Sequence, residues 1–335
     1  MVSGVKSLFI NCLLVIGSIV FVCFFLEFGA RGLIYLKYGS ADKGMHLNYS
    51  YEPYFVHASY DGPYHFVSPK NKNDFHIVVV GGSTAANLPE DMVIQAFLQH
   101  TDKNIRVFNL AKAGFIVNQQ IISLGLYASG LSPDLIISLD GANDIVTYSK
   151  TGVVGKPYHT GFIKFSVEHP FLNMGAWFLR NSRFCNAVLK LKERGQERAN
   201  VDQLDMAPLF DGYMAGLRSI ATFSKGLGAS YVAVLQPHVQ LRQTMTAEEA
   251  ALLNVQNYLY RKVFMRDAFS TLNQKMTRFF DDENILYLNG YTAFDDTDKT
   301  CFVDEVHLTP VGNEKLLSFI VNGILSSDLV DNINF

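Results

Sequence analysis

Residues 76 to 84 read His76-Ile77-Val78-Val79-Val80-Gly81-Gly82-Ser83-Thr84. A short, nearly continuous β-branched run ended by Gly-Gly is how a strand buried on both faces reads. Similar runs recur downstream at Ile105–Asn109, Asp134–Asp140, Ser230–Gln236 and Ile285–Leu288. Helical patterns lie between them. Pro89 is placed to open a helix to about His100, at its first helical position. Val117–Ala128 is apolar with polar punctuation and stops near Gly130. A long amphipathic stretch covers Val201–Ser224. Thr246-Ala-Glu-Glu249 matches a capping box, and the helical pattern behind it continues to Phe280. Thr309-Pro310 opens a last helix. Strands alternating with helices predict an α/β fold with a parallel sheet of about five strands.

The chain has 335 residues, about half of them apolar, so it can bury a large core. Its net charge of -3 gives no basic field of the kind that nucleic-acid binders carry. Four cysteines show no metal-ligand spacing. Cys185 and Cys301 are either two free thiols or, in an oxidising compartment, a disulfide.

Residues 7–26 (SLFINCLLVIGSIVFVCFFL) carry no charge and are flanked by Lys6 and Glu27. The run has the length of a bilayer span, roughly 20 residues. A cleaved signal peptide would have a shorter apolar region and a small-residue cleavage site. The expectation is an uncleaved single-pass anchor. Lys6 on one flank and Arg31 with Lys37 on the other leave its orientation nearly tied. The expected organisation is an anchor and juxtamembrane segment at 1–40, an irregular connecting segment at 41–73 and the α/β domain at 74–330. An insertion at about 147–200, which holds Trp177, is expected to carry part of the substrate site.

Four short pieces stand at strand ends, where open parallel sheets bind ligands. Gly81-Gly82-Ser83-Thr84 follows the first strand. Its serine reads equally as a helix cap or as a nucleophile. Asn109-Leu-Ala-Lys-Ala-Gly114 follows the second; Gly114 permits close backbone approach to a ligand, and taken alone it reads more readily as a plain turn. Gly141-Ala-Asn143-Asp144 follows the third. Asn143 can point an N–H at a developing oxyanion, and Asp144 can hold the loop through backbone N–H groups; a plain Asx turn is the other reading. Asp304-Glu-Val-His307 precedes the last helix. That spacing puts a carboxylate within reach of one imidazole nitrogen and leaves the other free to take a serine proton.

In this order the four pieces resemble the blocks of the SGNH hydrolase superfamily, the GDSL-like esterases, from about His76 to Phe319. The phrase DEVHLTPVGN (Asp304–Asn313) and Leu131-Ser-Pro-Asp-Leu135 also fit it. The resemblance implies a three-layer α/β/α sandwich of flavodoxin type. It implies Ser83 as nucleophile, His307 as general base and Asp304 as its orienting partner. The oxyanion hole would be the N–H groups of Ser83 and Gly114 with the Asn143 side chain. No metal or organic cofactor is needed. The first block has the Gly-Gly-Ser-Thr form rather than GDS. Asn87 stands where a glycine often follows, and Asn tolerates left-handed angles. Ala111 replaces a second glycine near Gly114.

The implied activity is serine-dependent hydrolysis of a carbohydrate or lipid ester. The same residues would serve an O-acyltransferase that passes acetyl to a cell-envelope glycan. A third reading is an inactive, membrane-anchored binding subunit. For anchored members the resemblance suggests an extracytoplasmic catalytic domain, periplasmic or at the cell surface.

Overall fold

The computed structural model describes residues 2–38, 49–52, 56–59, 70–157, 182, 205–253, 258–283 and 285–329. Two compact units separate by their internal contacts: residues 1–49 with 161–199, and residues 50–160 with 200–335. In the first unit, a helix covers Val2–Tyr38 and contains the whole of the expected anchor. Among the described residues no helix is long and apolar enough to cross a membrane. Many side chains of this helix lie outside those residues, as do most of the expected insertion and Trp177.

Strands β1 (Tyr49–Glu52) and β2 (Val56–Ser59) pair with each other. The second unit is built on a five-stranded sheet. Its strands are β3 (Asp74–Gly81), β4 (Asn104–Asn109), β5 (Leu135–Asp140), β6 (Ser230–Leu235) and β7 (Leu286–Asn289). All neighbours run parallel, in the order β4-β3-β5-β6-β7. This is the flavodoxin order, with the first strand of the sheet inside it and the connections leaving to opposite sides after β3 and β5.

Alternation along β3 explains why it reads as continuously apolar. Phe75, Ile77 and Val79 enter one core, and Val78 and Val80 enter the other. Every residue of the strand is buried. Burying each such side chain contributes about 1.5–3 kcal/mol. The first core is closed by the helices Glu90–Leu98 and Pro310–Leu325. The second is closed by Val117–Ser123, Ala142–Thr151, Ala207–Gly226 and Tyr258–Glu283. The result is three layers with two cores.

Several local expectations need correction. Pro89 is the N-cap of its helix rather than its first residue, with φ -65 and ψ 128. The helix from Val117 passes through a π segment, Leu124–Ala128, before its last turn, Ser129–Leu131. It ends at Ser132 in the left-handed region (φ 47), one residue before Pro133, so the chain turns sharply into β5. The pattern after Thr246 is two helices, Ala247–Leu252 and Tyr258–Glu283. The capping box at the first of them forms as the spacing predicts, with Thr246 Oγ1 and Glu249 each accepting the other's backbone N–H.

Candidate active site

Parallel pairing puts the carboxyl ends of all five strands at one edge; the first three blocks leave from it, and the fourth meets it where Thr84 bonds to Val306 O. Gly81 pairs with Leu139 on β5, and Asp140 pairs with Leu235 on β6. Gly81 has φ 151, and a Cβ there would lie 2.2 Å from the Leu139 carbonyl oxygen. Only glycine lets the chain leave β3 so tightly against its neighbour. Ser83 then opens a single-turn helix, Ser83–Ala86, with Ala86 N–H bonding to Gly82 O at 3.0 Å. Asn87 ends this turn at φ -90, so the position needs no left-handed backbone and the missing glycine is harmless.

Gly82 carries a second close contact of the serine turn. A Cβ built on it would lie 2.3 Å from Asn143 Nδ2. The Asn143 amide is therefore packed directly against the residue before Ser83. Asn143 Nδ2 donates one hydrogen to Phe115 O at 3.0 Å, which leaves its second hydrogen for another acceptor. Beside it, Asp144 accepts from Val117 N–H with both oxygens, at 3.2 and 3.3 Å. The block after β5 thus clamps the segment that follows Gly114. Gly114 itself has φ 79 and supplies the left-handed turn that brings Phe115 round. The loop-holding role expected of Asp144 is found; the simple Asx turn is not, because its partner lies 27 residues away.

The fourth block forms a pair. His307 Nδ1 and Asp304 Oδ2 are 2.6 Å apart. The other carboxylate oxygen, Asp304 Oδ1, accepts from the backbone N–H groups of Val306 (3.0 Å) and His307 (2.9 Å). Burial raises the Asp304 pKa, but the His307 ring and these two N–H groups outweigh it and hold the carboxyl below the usual carboxylate range. A charged Asp304 fixes the proton of neutral His307 on Nδ1 and frees Nε2 as a base. Among the described residues, Ser83 Oγ and His307 Nε2 have no hydrogen-bond partner and do not bond each other. Thr309 caps the last helix, accepting from Gly312 N–H at 3.1 Å, and Pro310 is its first residue, as expected.

Two features near the site were not anticipated. At the end of β5 and in the first turn of the helix after it, Asp140 and Asp144 form a buried acidic pair. Asp140 accepts a very short bond from Tyr213 Oη. Burial pushes the Asp140 carboxyl up to about 6 despite that bond. Burial and the neighbouring Asp140 push Asp144 well above the ordinary range. The sequence signal was a charged residue ending an otherwise apolar strand. The second feature is Gln236, which reaches from the end of β6 to the residue after Ser83. Cys301 is a buried thiol, free among the described residues; Cys185, the partner in the disulfide alternative, lies outside them.

No protein-family model and no curated protein sequence matches the chain. Solved structures do resemble it. One is described as a putative acylhydrolase from Bacteroides fragilis, with 13% identity over 77% of this chain and 90% of that one, at TM-score 0.44. Another is an acetyl xylan esterase, with 9% identity over 75% and 98%, at TM-score 0.44. A third is a GDSL-like lipase from Bacteroides thetaiotaomicron, with 12% identity over 77% and 92%, at TM-score 0.45. The activities in those names belong to those proteins.

Proposed function

We propose that this chain is a serine-dependent ester hydrolase acting on a carbohydrate or lipid ester through an acyl-Ser83 intermediate. The observation that carries the reading is the 2.6 Å contact between Asp304 and His307, beside a glycine-lined serine turn at the sheet's carboxyl edge. His307 Nε2 takes the Ser83 proton as Oγ attacks the ester carbonyl carbon. The oxyanion forms against the N–H groups of Ser83 and Gly114 and the second amide hydrogen of Asn143. The intermediate collapses, and the leaving alkoxide takes its proton from His307. Water then attacks acyl-Ser83, giving its proton to His307, and the acid departs as Ser83 is restored. The Ser83–His307 bond, which the structure does not contain, forms when substrate is bound.

The full-length protein in detergent, assayed with p-nitrophenyl acetate, tests this. Ser83→Ala abolishes cleavage and labelling by a fluorophosphonate. Equal activity in wild type and Ser83→Ala would sink the serine assignment. Ester formation on an added polysaccharide acceptor would move the reading to an O-acyltransferase with the same acyl-Ser83.

The reading includes attachment to a membrane through residues 7–26, with the catalytic unit on the extracytoplasmic side. Uncharged sequence of bilayer length supports it, as do the exposed Phe21 and Phe25, at 69% and 73%. Release of the protein by alkaline carbonate would count against it, and a reporter fusion at the carboxyl terminus reads the side.

A further inference from the structure

Outside the Asp304–His307 pair and the oxyanion donors, one chain of buried side chains joins the serine turn to the histidine turn. Thr84 Oγ1 donates to Val306 O at 3.1 Å, and Gln236 Nε2 donates to Thr84 Oγ1 at 2.9 Å. Thr84 and Gln236 are each 2% exposed. The directions are forced. A carbonyl only accepts, so the single hydroxyl proton goes to Val306, and the amide must then present its N–H to Thr84.

We propose that Thr84, oriented by Gln236, is a positioning residue that sets the reach from Ser83 to His307. The proposal rests on the reading of Ser83 as nucleophile and His307 as base. Thr84 directly follows the nucleophile, and Val306 directly precedes the base. Val306 is held on both sides, its N–H by Asp304 Oδ1 and its C=O by Thr84. The Asp304–His307 pair alone fixes the imidazole only relative to its own turn. The Thr84 bond fixes that turn relative to Ser83. At the other end, Gln236 N–H bonds to Asp140 O at 2.8 Å, so the tie is anchored on the sheet rather than on a loop. The link crosses 222 residues of sequence. Misplacing reacting groups by about 1 Å can cost on the order of 100-fold in rate.

Steady-state kinetics of full-length Thr84→Val on p-nitrophenyl acetate test this. Valine keeps the shape and removes the hydroxyl. The expected result is a fall in kcat of about 10- to 100-fold. KM stays within about twofold, the mark of an interaction that acts in the transition state. Thr84→Ser, which restores the hydroxyl, recovers most of the lost kcat. Fluorophosphonate labelling of Ser83 slows in Thr84→Val and recovers in Thr84→Ser. A purely structural threonine would lower the melting temperature and leave the kcat of the folded fraction unchanged. If Thr84→Val does not fold, Gln236→Met carries the same measurement and slows labelling. A folded Thr84→Val, or failing that Gln236→Met, with wild-type kcat overturns the proposal, and so does absence of rescue by serine. A wild type no more active than Ser83→Ala overturns the reading of Ser83 first, and this proposal with it.

Discussion

The Asn143 amide nitrogen occupies the space that a side chain at Gly82 would need. A Cβ at Gly82 would fall 2.3 Å from Asn143 Nδ2, closer than Cβ atoms of folded proteins approach their non-bonded neighbours. Gly82→Ala must therefore push Asn143 away from the residue next to Ser83. The expected outcome is a kcat loss like that of removing one oxyanion donor, about 100- to 1000-fold. Asn143→Ala loses a similar factor, and the double variant little more than either. Additive losses in esterase kinetics would show that the two positions act separately.

Asp304 should matter for pH as well as for rate. Its carboxyl is held below the ordinary range, so the folded chain binds fewer protons there than the unfolded chain. The stability it contributes is present above the unfolded carboxylate pKa and is lost as pH falls through the folded value. Asp304→Asn should flatten the acid limb of melting temperature against pH. It should also lower kcat by about 100- to 10,000-fold, because His307 loses the partner that orients it as a base. Unchanged acid sensitivity would contradict the carboxylate's assigned environment.

Asp140 acts with the opposite sign. Burial raises it from 3.8 to about 6. Between those values the folded state holds a proton that the unfolded state has released, so stability falls as pH rises through this window. The corresponding cost at neutral pH is on the order of 3 kcal/mol. Asp140→Asn keeps an acceptor for Tyr213 Oη and removes the charge. Thermal melts from pH 4 to 7 should show a shallower downward slope in the variant, with burial of Asp144 supplying what remains. A slope identical to wild type would place the titration elsewhere.

Arg242 and Glu249 form a fully buried ion pair. Glu249 also accepts from the backbone N–H groups of Cys301 (2.7 Å), Phe302 (3.2 Å) and Thr246 (3.0 Å). Arg242 in turn donates to Thr297 O at 2.6 Å. Glu249→Ala would leave a buried cation and three N–H groups without their acceptor. Denaturant titration should register a loss of about 3–5 kcal/mol. A loss below 1 kcal/mol would indicate that water relieves the site.

The sequence made the sheet legible because its central strands β3, β5 and β6 are buried on both faces, and β-branched runs such as Ile77–Val80 have few other uses. It made the four blocks legible because glycine, Asn143 and the Asp304–His307 spacing bear local signatures. It could not reveal Thr84 as a link, since its partner Val306 is remote in sequence and contributes only a carbonyl. For Asp144 the loop-holding role was legible but its partner was not, because the N–H it accepts from belongs to Val117, 27 residues away. Asn87 misled for a related reason. Its identity suggested a left-handed turn, and the short Ser83–Ala86 helix ends without one.

The bond between Thr84 and Val306 also bears on the chain during synthesis. The serine turn leaves the ribosome long before the histidine turn exists. Any chain cut short of Val306 lacks the carbonyl that Thr84 holds and the imidazole that follows it. Such a fragment could expose Ser83, yet it would have no base beside it. The hydroxyl stays chemically quiet until the histidine turn has been made and folded back onto it.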